Sequence, residues 1–148
     1  MAADLCLGVT AWSPLAGGIL TGKQLVPGGA KDSRQDNASM QQFMKSNARK
    51  EAVAREVVAV AREAGHSPAQ VALAWLRQRP APVIPIIGAR KLAQVKDNLA
   101  CVAVKLAPAP LERLNAVSRI EMGFPHDFFA TDMVRALSSG GMRDQIDA

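Results

Sequence analysis

Apolar positions along the chain fall into short runs and helical stripes, broken by glycine and proline. Leu5 to Trp12 is a short apolar, partly β-branched run closed by Ser13-Pro14, and it reads as a buried strand followed by a turn. A long polar stretch from Gln24 to about Asn47 then reads as loop. Val53, Val57, Val60, Ala61 and Ala64 recur at helical spacing with charged residues between them, and Gly65 supplies the stop, so a surface helix is expected. Ser67-Pro68-Ala69-Gln70 has the form of a capping box with proline at the first helical position, opening a second helix that is apolar on every side from Val71 to Leu76. Val83 to Ile87 is again nearly continuous in apolar character, as in a strand buried on both faces, with Pro85 tolerable where an amide is free. A helix with Leu92, Val95, Leu99 and Val102 on its core side follows, and Leu111 to about Arg119 repeats the pattern with Leu114 and Val117. The tail from Gly123 carries Phe124, Phe128 and Phe129, three of four phenylalanines, which predicts a docked segment.

Strand, helices, strand, helices is the rhythm of an α/β fold with parallel strands, mostly helical, in a single domain over 1–148. Two strands make an incomplete sheet, and strands of this apolar character need neighbours. Exposed strand edges invite pairing, so a homo-oligomer is expected, with a dimer favoured over coverage by the tail.

Composition narrows the class without naming a chemistry. The 148 residues are 49% hydrophobic and 21% charged, enough for one ordinary globular core. The net charge of +5 comes from interspersed acids and bases, and with tyrosine absent and no basic arm or zinc-finger spacing this argues against nucleic acid as a partner. No apolar stretch approaches the roughly 20 residues that span a bilayer, so no membrane is expected. Cys6 and Cys101 lie among apolar neighbours and read as buried reduced thiols, which points to a cytoplasmic protein with no metal site.

The chemistry concentrates where the second apolar run meets its helix. A helix opening on Gly88-Ala89-Arg90-Lys91 has no residue in front to cap its first amides, and it adds two cations at the positive end of its dipole. These groups are either solvated or turned towards an anion such as phosphate. The turn Ser13-Pro14-Leu15-Ala16-Gly17-Gly18 offers the same choice, a plain turn or an anion-binding concavity of successive amides.

"TAWSPLAGGILTGK" (Thr10 to Lys23), "SPAQVALAWL" (Ser67 to Leu76) and "PIIGARKLAQVKDNL" (Pro85 to Leu99) each resemble segments of the aldo-keto reductases, and "GFPHDFF" is similar to C-termini in that family. The resemblance implies that Leu5 to Trp12 and Val83 to Ile87 correspond to the seventh and eighth strands of a (β/α)8 barrel, whose loops often hold a phosphate group. It places Ser13, Leu15 and Gly17 at the pyrophosphate of NADP(H), Gly88, Ala89 and Arg90 at the 2′-phosphate, and Gln94 and Asn98 at the adenine. The family reduces carbonyls with an Asp, Tyr, Lys, His tetrad. This sequence has no tyrosine, and neither its two histidines, His66 and His126, nor Lys23 or Asp4 match the tetrad, so no catalytic residue is expected. Three readings follow: a truncated aldo-keto reductase-like chain that keeps the NADP(H) site without the chemistry, a self-associating or partner-docking module, and an NADPH-dependent oxidoreductase with a reorganised or shared active site.

Overall fold

A computed structural model describes residues 1–26, 47–142 and 145. It forms two compact units, Met1–Ser118 and Arg119–Ala148.

In the first unit, strand β1 (Val9–Trp12) pairs in parallel with strand β2 (Val83–Ile86), Val9 opposite Val83 and Trp12 opposite Ile86. Between them lie helices α1 (Ala48–Ala64) and α2 (Pro68–Arg77), and after them α3 (Leu92–Leu99) and α4 (Pro108–Ser118). The chain is therefore mostly helical with two short parallel strands, the partial α/β arrangement expected.

Local chemistry accounts for the boundaries. The Asn47 side chain accepts from the Lys50 amide at 2.8 Å to start α1, and Gly65 ends it in the left-handed region. Ser67 and Gln70 form the predicted capping box: the Gln70 amide donates to Ser67 Oγ at 3.1 Å, and the Ser67 amide to Gln70 Oε1 at 3.3 Å. The core lies where α1, α2 and α4 meet, built from Val57, Val60, Ala61, Val71, Ala72, Ala74 and Leu114, with Val104 and Leu106 from the segment before α4. Trp75 of α2 donates its indole N–H to Asn115 of α4 at 2.9 Å, and the Arg79 guanidinium lies over the same ring.

Four expectations need correction. The first strand is shorter than Leu5 to Trp12, because Leu5, Cys6 and Leu7 donate their amides to Met1, Ala3 and Ala2 in local turns and leave only Val9–Trp12 extended. The strands are not buried on both faces either. Ala11, Val83 and Pro85 are half-buried on the side where α2 lies against β2, whereas Thr10, Trp12, Ile84 and Ile86 are exposed, Trp12 at 75%. Cys6 is exposed in this turn, while Cys101 is buried as expected, and burial pushes its thiol pKa up. Finally, the stripe predicted as the core side of α3 is largely bare: Leu92 is 69% exposed, and Leu99 and Val102 are exposed too. This segment meets α2 through polar groups instead. Asp97 accepts from Ser67 Oγ at 2.9 Å and from Gln70 Nε2 at 2.8 Å, and Arg77 donates to the Cys101 carbonyl at 3.1 Å.

Of the long loop expected from Gln24 to Asn47, residues 27–46 lie outside the described residues. The second unit holds two short helices, α5 (His126–Phe129) and α6 (Asp132–Ser139), the latter ended by Gly140. Here the phenylalanines pack on one another, with Phe124 and Phe128 centroids 6.0 Å apart and Phe128 and Phe129 5.7 Å apart.

Candidate functional site

Parallel pairing brings the C-terminal ends of β1 and β2 side by side, so the turn after β1 and the junction after β2 open on the same space. Between them and the first turn of α2 is a cavity of about 440 Å³. All eight residues singled out from the sequence line it: Ser13, Leu15 and Gly17 from the first turn, Gly88, Ala89 and Arg90 from the second junction, and Gln94 and Asn98 from α3.

The turn after β1 has an unusual backbone. Ser13 and Ala16 have φ of 54° and 49°, and Gly17 and Gly18 follow at 67° and 98°. Two non-glycine residues with positive φ cost of order 1–3 kcal/mol each, and such strain gathers at ligand sites. Glycine at 17 and 18 lets the chain complete the turn at no further steric cost. The Gly17 amide donates to Ser13 Oγ at 3.3 Å, and Ser13 lines the cavity with its O–H still available as a donor.

The second junction differs from its sequence reading. The helix begins at Leu92, with Lys91 as its N-cap, and it supplies its own acceptor. Gln94 Oε1 accepts from the Arg90 amide at 2.9 Å and from the Lys91 amide at 3.2 Å. As expected, no side chain in front of the helix caps it, and Gln94 takes the amides of Arg90 and Lys91 from within the first turn.

Asn98 is the other informative residue. It is only 4% exposed, and its side chain makes no hydrogen bond among the described residues although it borders the cavity. A buried amide without partners costs about 1–3 kcal/mol, which a fold retains when a ligand completes the bonding. The cavity thus offers an amide that can both donate and accept, a carboxylate at Asp97, a hydroxyl at Ser13 and cations at Arg90 and Lys23, a lining for a polar ligand.

Sequence reasoning passed over Trp12, Lys23, Ser67 and Asp97, all of which line the cavity. Lys23 matches no catalytic position, yet it closes the same glycine-rich segment that supplies Ser13 and Gly17 and lines the cavity with them. Ser67 and Asp97 come together only through the packing of α2 on α3. Among the described residues no group of three or more His, Cys, Asp or Glu could hold a metal ion, and no helix is long and apolar enough to cross a membrane.

Residues 1–119 match the sequence model of the Aldo/keto reductase family, a span that coincides with the first compact unit. An uncharacterized oxidoreductase of Bacillus subtilis is 36% identical over 118 residues, 78% of this chain and 33% of that protein. Norsolorinic acid reductase B of Dothistroma septosporum is 33% identical over 102 residues, 69% of this chain and 26% of that protein. A Saccharomyces cerevisiae protein carrying the provisional name of an aryl-alcohol dehydrogenase is 24% identical over 136 residues, 89% of this chain and 87% of that protein. The chain thus spans about a third of the Bacillus relative and most of the yeast one.

Proposed function

The chain belongs to the aldo/keto reductase family, and from that premise we propose that it binds NADP(H) at the cavity between its two strand ends without reducing carbonyls by itself. The observation that carries this reading is Asn98, a buried, unpartnered amide in a cavity whose other end is a strained glycine-rich turn. Ser13, Leu15 and Gly17 would hold the pyrophosphate through hydroxyl and backbone donors. Gly88, Ala89 and Arg90 would hold the 2′-phosphate, where a guanidinium can form paired charged hydrogen bonds. Gln94 and Asn98 would lie at the adenine.

When bound, the nicotinamide supplies a hydride. Reduction of a carbonyl also needs a proton at the carbonyl oxygen, and this chain has no tyrosine to give it. General acid help is worth about 10²–10⁴-fold, so the 148-residue chain is expected to bind cofactor without turnover.

Calorimetric titration tests the binding. NADPH is expected to bind more tightly than NADH, and Arg90→Ala to remove roughly 1.5–3 kcal/mol of that preference, the worth of a charged hydrogen-bond partner. Equal affinities, or a variant that discriminates as before, would dismiss the site. Saturable NADPH oxidation with aromatic aldehydes, chosen because the yeast relative is named for an aryl-alcohol dehydrogenase, would favour an oxidoreductase with a reorganised site.

A second reading, self-association, rests on a different observation: the exposed face of β1 and β2, where Trp12, Ile84 and Ile86 stand bare. Contiguous apolar surface and unpaired strand edges favour docking, and cofactor binding and association can coexist.

A further inference from the structure

No serine, threonine, aspartate or asparagine stands at the N-cap of α3, and Gln94 instead accepts, from inside the helix, the amides of Arg90 and Lys91 just before its first residue. Its Oε1 accepts from both Arg90 (2.9 Å) and Lys91 (3.2 Å), so a carbonyl oxygen sits where two backbone donors converge, with Gln94 and Arg90 themselves lining the cavity. That is also the positive end of the helix dipole. A phosphate oxygen meets the same donors more strongly, because an ionised acceptor makes hydrogen bonds about twice as strong as a neutral one. One turn further on, the buried and unpartnered Asn98 independently marks this end of the cavity as made for a ligand.

The geometry points to Gln94 as a displaceable cap, holding the Arg90 and Lys91 amides until the phosphate monoester of a nucleotide takes them. The inference rests on the NADP(H) reading above and changes the role of one residue within it. Gln94 competes with the 2′-phosphate for donors instead of simply adding a contact to adenine. NADH lacks the 2′-phosphate and leaves the cap in place, so Gln94 acts on the ratio of the two affinities, not on both equally.

Calorimetry with NADPH and NADH on wild type, Gln94→Ala and Gln94→Glu, read together with the backbone amide NMR signals of Arg90 and Lys91, tests this. In Gln94→Ala the preference for NADPH rises by about 2–10-fold, the worth of one neutral hydrogen bond no longer competing. In Gln94→Glu it falls, because a carboxylate caps more strongly and repels the phosphate. In wild type the two amide signals shift with NADPH and not with NADH. A Gln94→Ala variant that loses affinity for both nucleotides equally, or amide signals unmoved by NADPH, overturns the exchange and leaves Gln94 as an adenine contact. If wild type binds neither nucleotide the exchange also falls, but faster hydrogen exchange of the two amides in ligand-free Gln94→Ala then shows that the cap is real and the nucleotide reading is at fault.

Discussion

Asn98 occupies a helical position where a leucine, larger but branched in the same way, would leave no polar group dry. Its amide is nearly inaccessible and finds no partner among the described residues, so it weakens the ligand-free fold by about 1–3 kcal/mol. Asn98→Leu is therefore expected to raise the melting temperature while weakening NADPH and NADH binding together, the exchange of stability for function common at binding sites. A lowered melting temperature would mean that the amide serves the fold. Of the residues singled out, Ser13 and Gly17 came from the resemblance, since the turn alone left a plain turn equally open, and the structure brings both to the cavity. The positive φ of Ser13 and Ala16 was not legible, since neither residue type announces the left-handed region.

Elements in this chain meet through polar hooks as well as through the core. Arg113 of α4 reaches α1, with Nη1 2.6 Å from Glu63 Oε2 and Nη2 2.7 Å from Glu56 Oε1. The hydrogen bond from Arg113 holds the Glu63 carboxyl below its ordinary value of 4.5, while the guanidinium stays protonated throughout. A carboxylate with a depressed folded-state pKa stabilises the fold above its unfolded pKa and loses that contribution as the pH falls through the folded value. Denaturant midpoints of wild type and Glu63→Gln should accordingly differ by a constant, small amount above about pH 5 and converge as the pH drops below the ordinary glutamate range. A gap that persists unchanged at pH 2–3 would show that the pair contributes nothing through charge. The α1 stop, the α2 capping box and the α2 interior could all be read from sequence, because each depends on neighbours within four residues. The α3 packing could not: its apolar stripe is periodic, yet α3 turns a polar edge to α2 because Asp97 finds Ser67 and Gln70 there.

For the molecule as a whole, the open question is what covers the sheet. β1 and β2 pair with each other, and among the described residues no other strand flanks them. Apolar side chains at Trp12, Ile84 and Ile86, and on α3 at Leu92 and Leu99, stand in solvent in a chain that also carries a net charge of +5. A two-fold dimer covers such a surface by pairing identical patches. Light scattering over a wide concentration range is expected to show a dimer at high concentration, and Trp12→Lys to shift it towards monomer. A wild-type monomer at every concentration would remove self-association from the account.

The amino-acid pattern by itself determined the α/β order, the α1 stop and the α2 capping box, the two parallel strands and the set of residues gathered at their ends. All of these follow from local backbone chemistry or from the resemblance carried by short contiguous segments. Only the tertiary structure decided which apolar runs are buried, because burial depends on what else is present to pack: Leu73 is fully enclosed, while Leu92, with an equally regular pattern, is not. The Gln94 bonds to Arg90 and Lys91 span at most four residues and lay within reach of the sequence. That Asn98 is buried without a partner among the described residues did not, because it depends on what packs around it once α2, α3 and the strand ends have come together, and burial of that kind is settled in space, not along the chain.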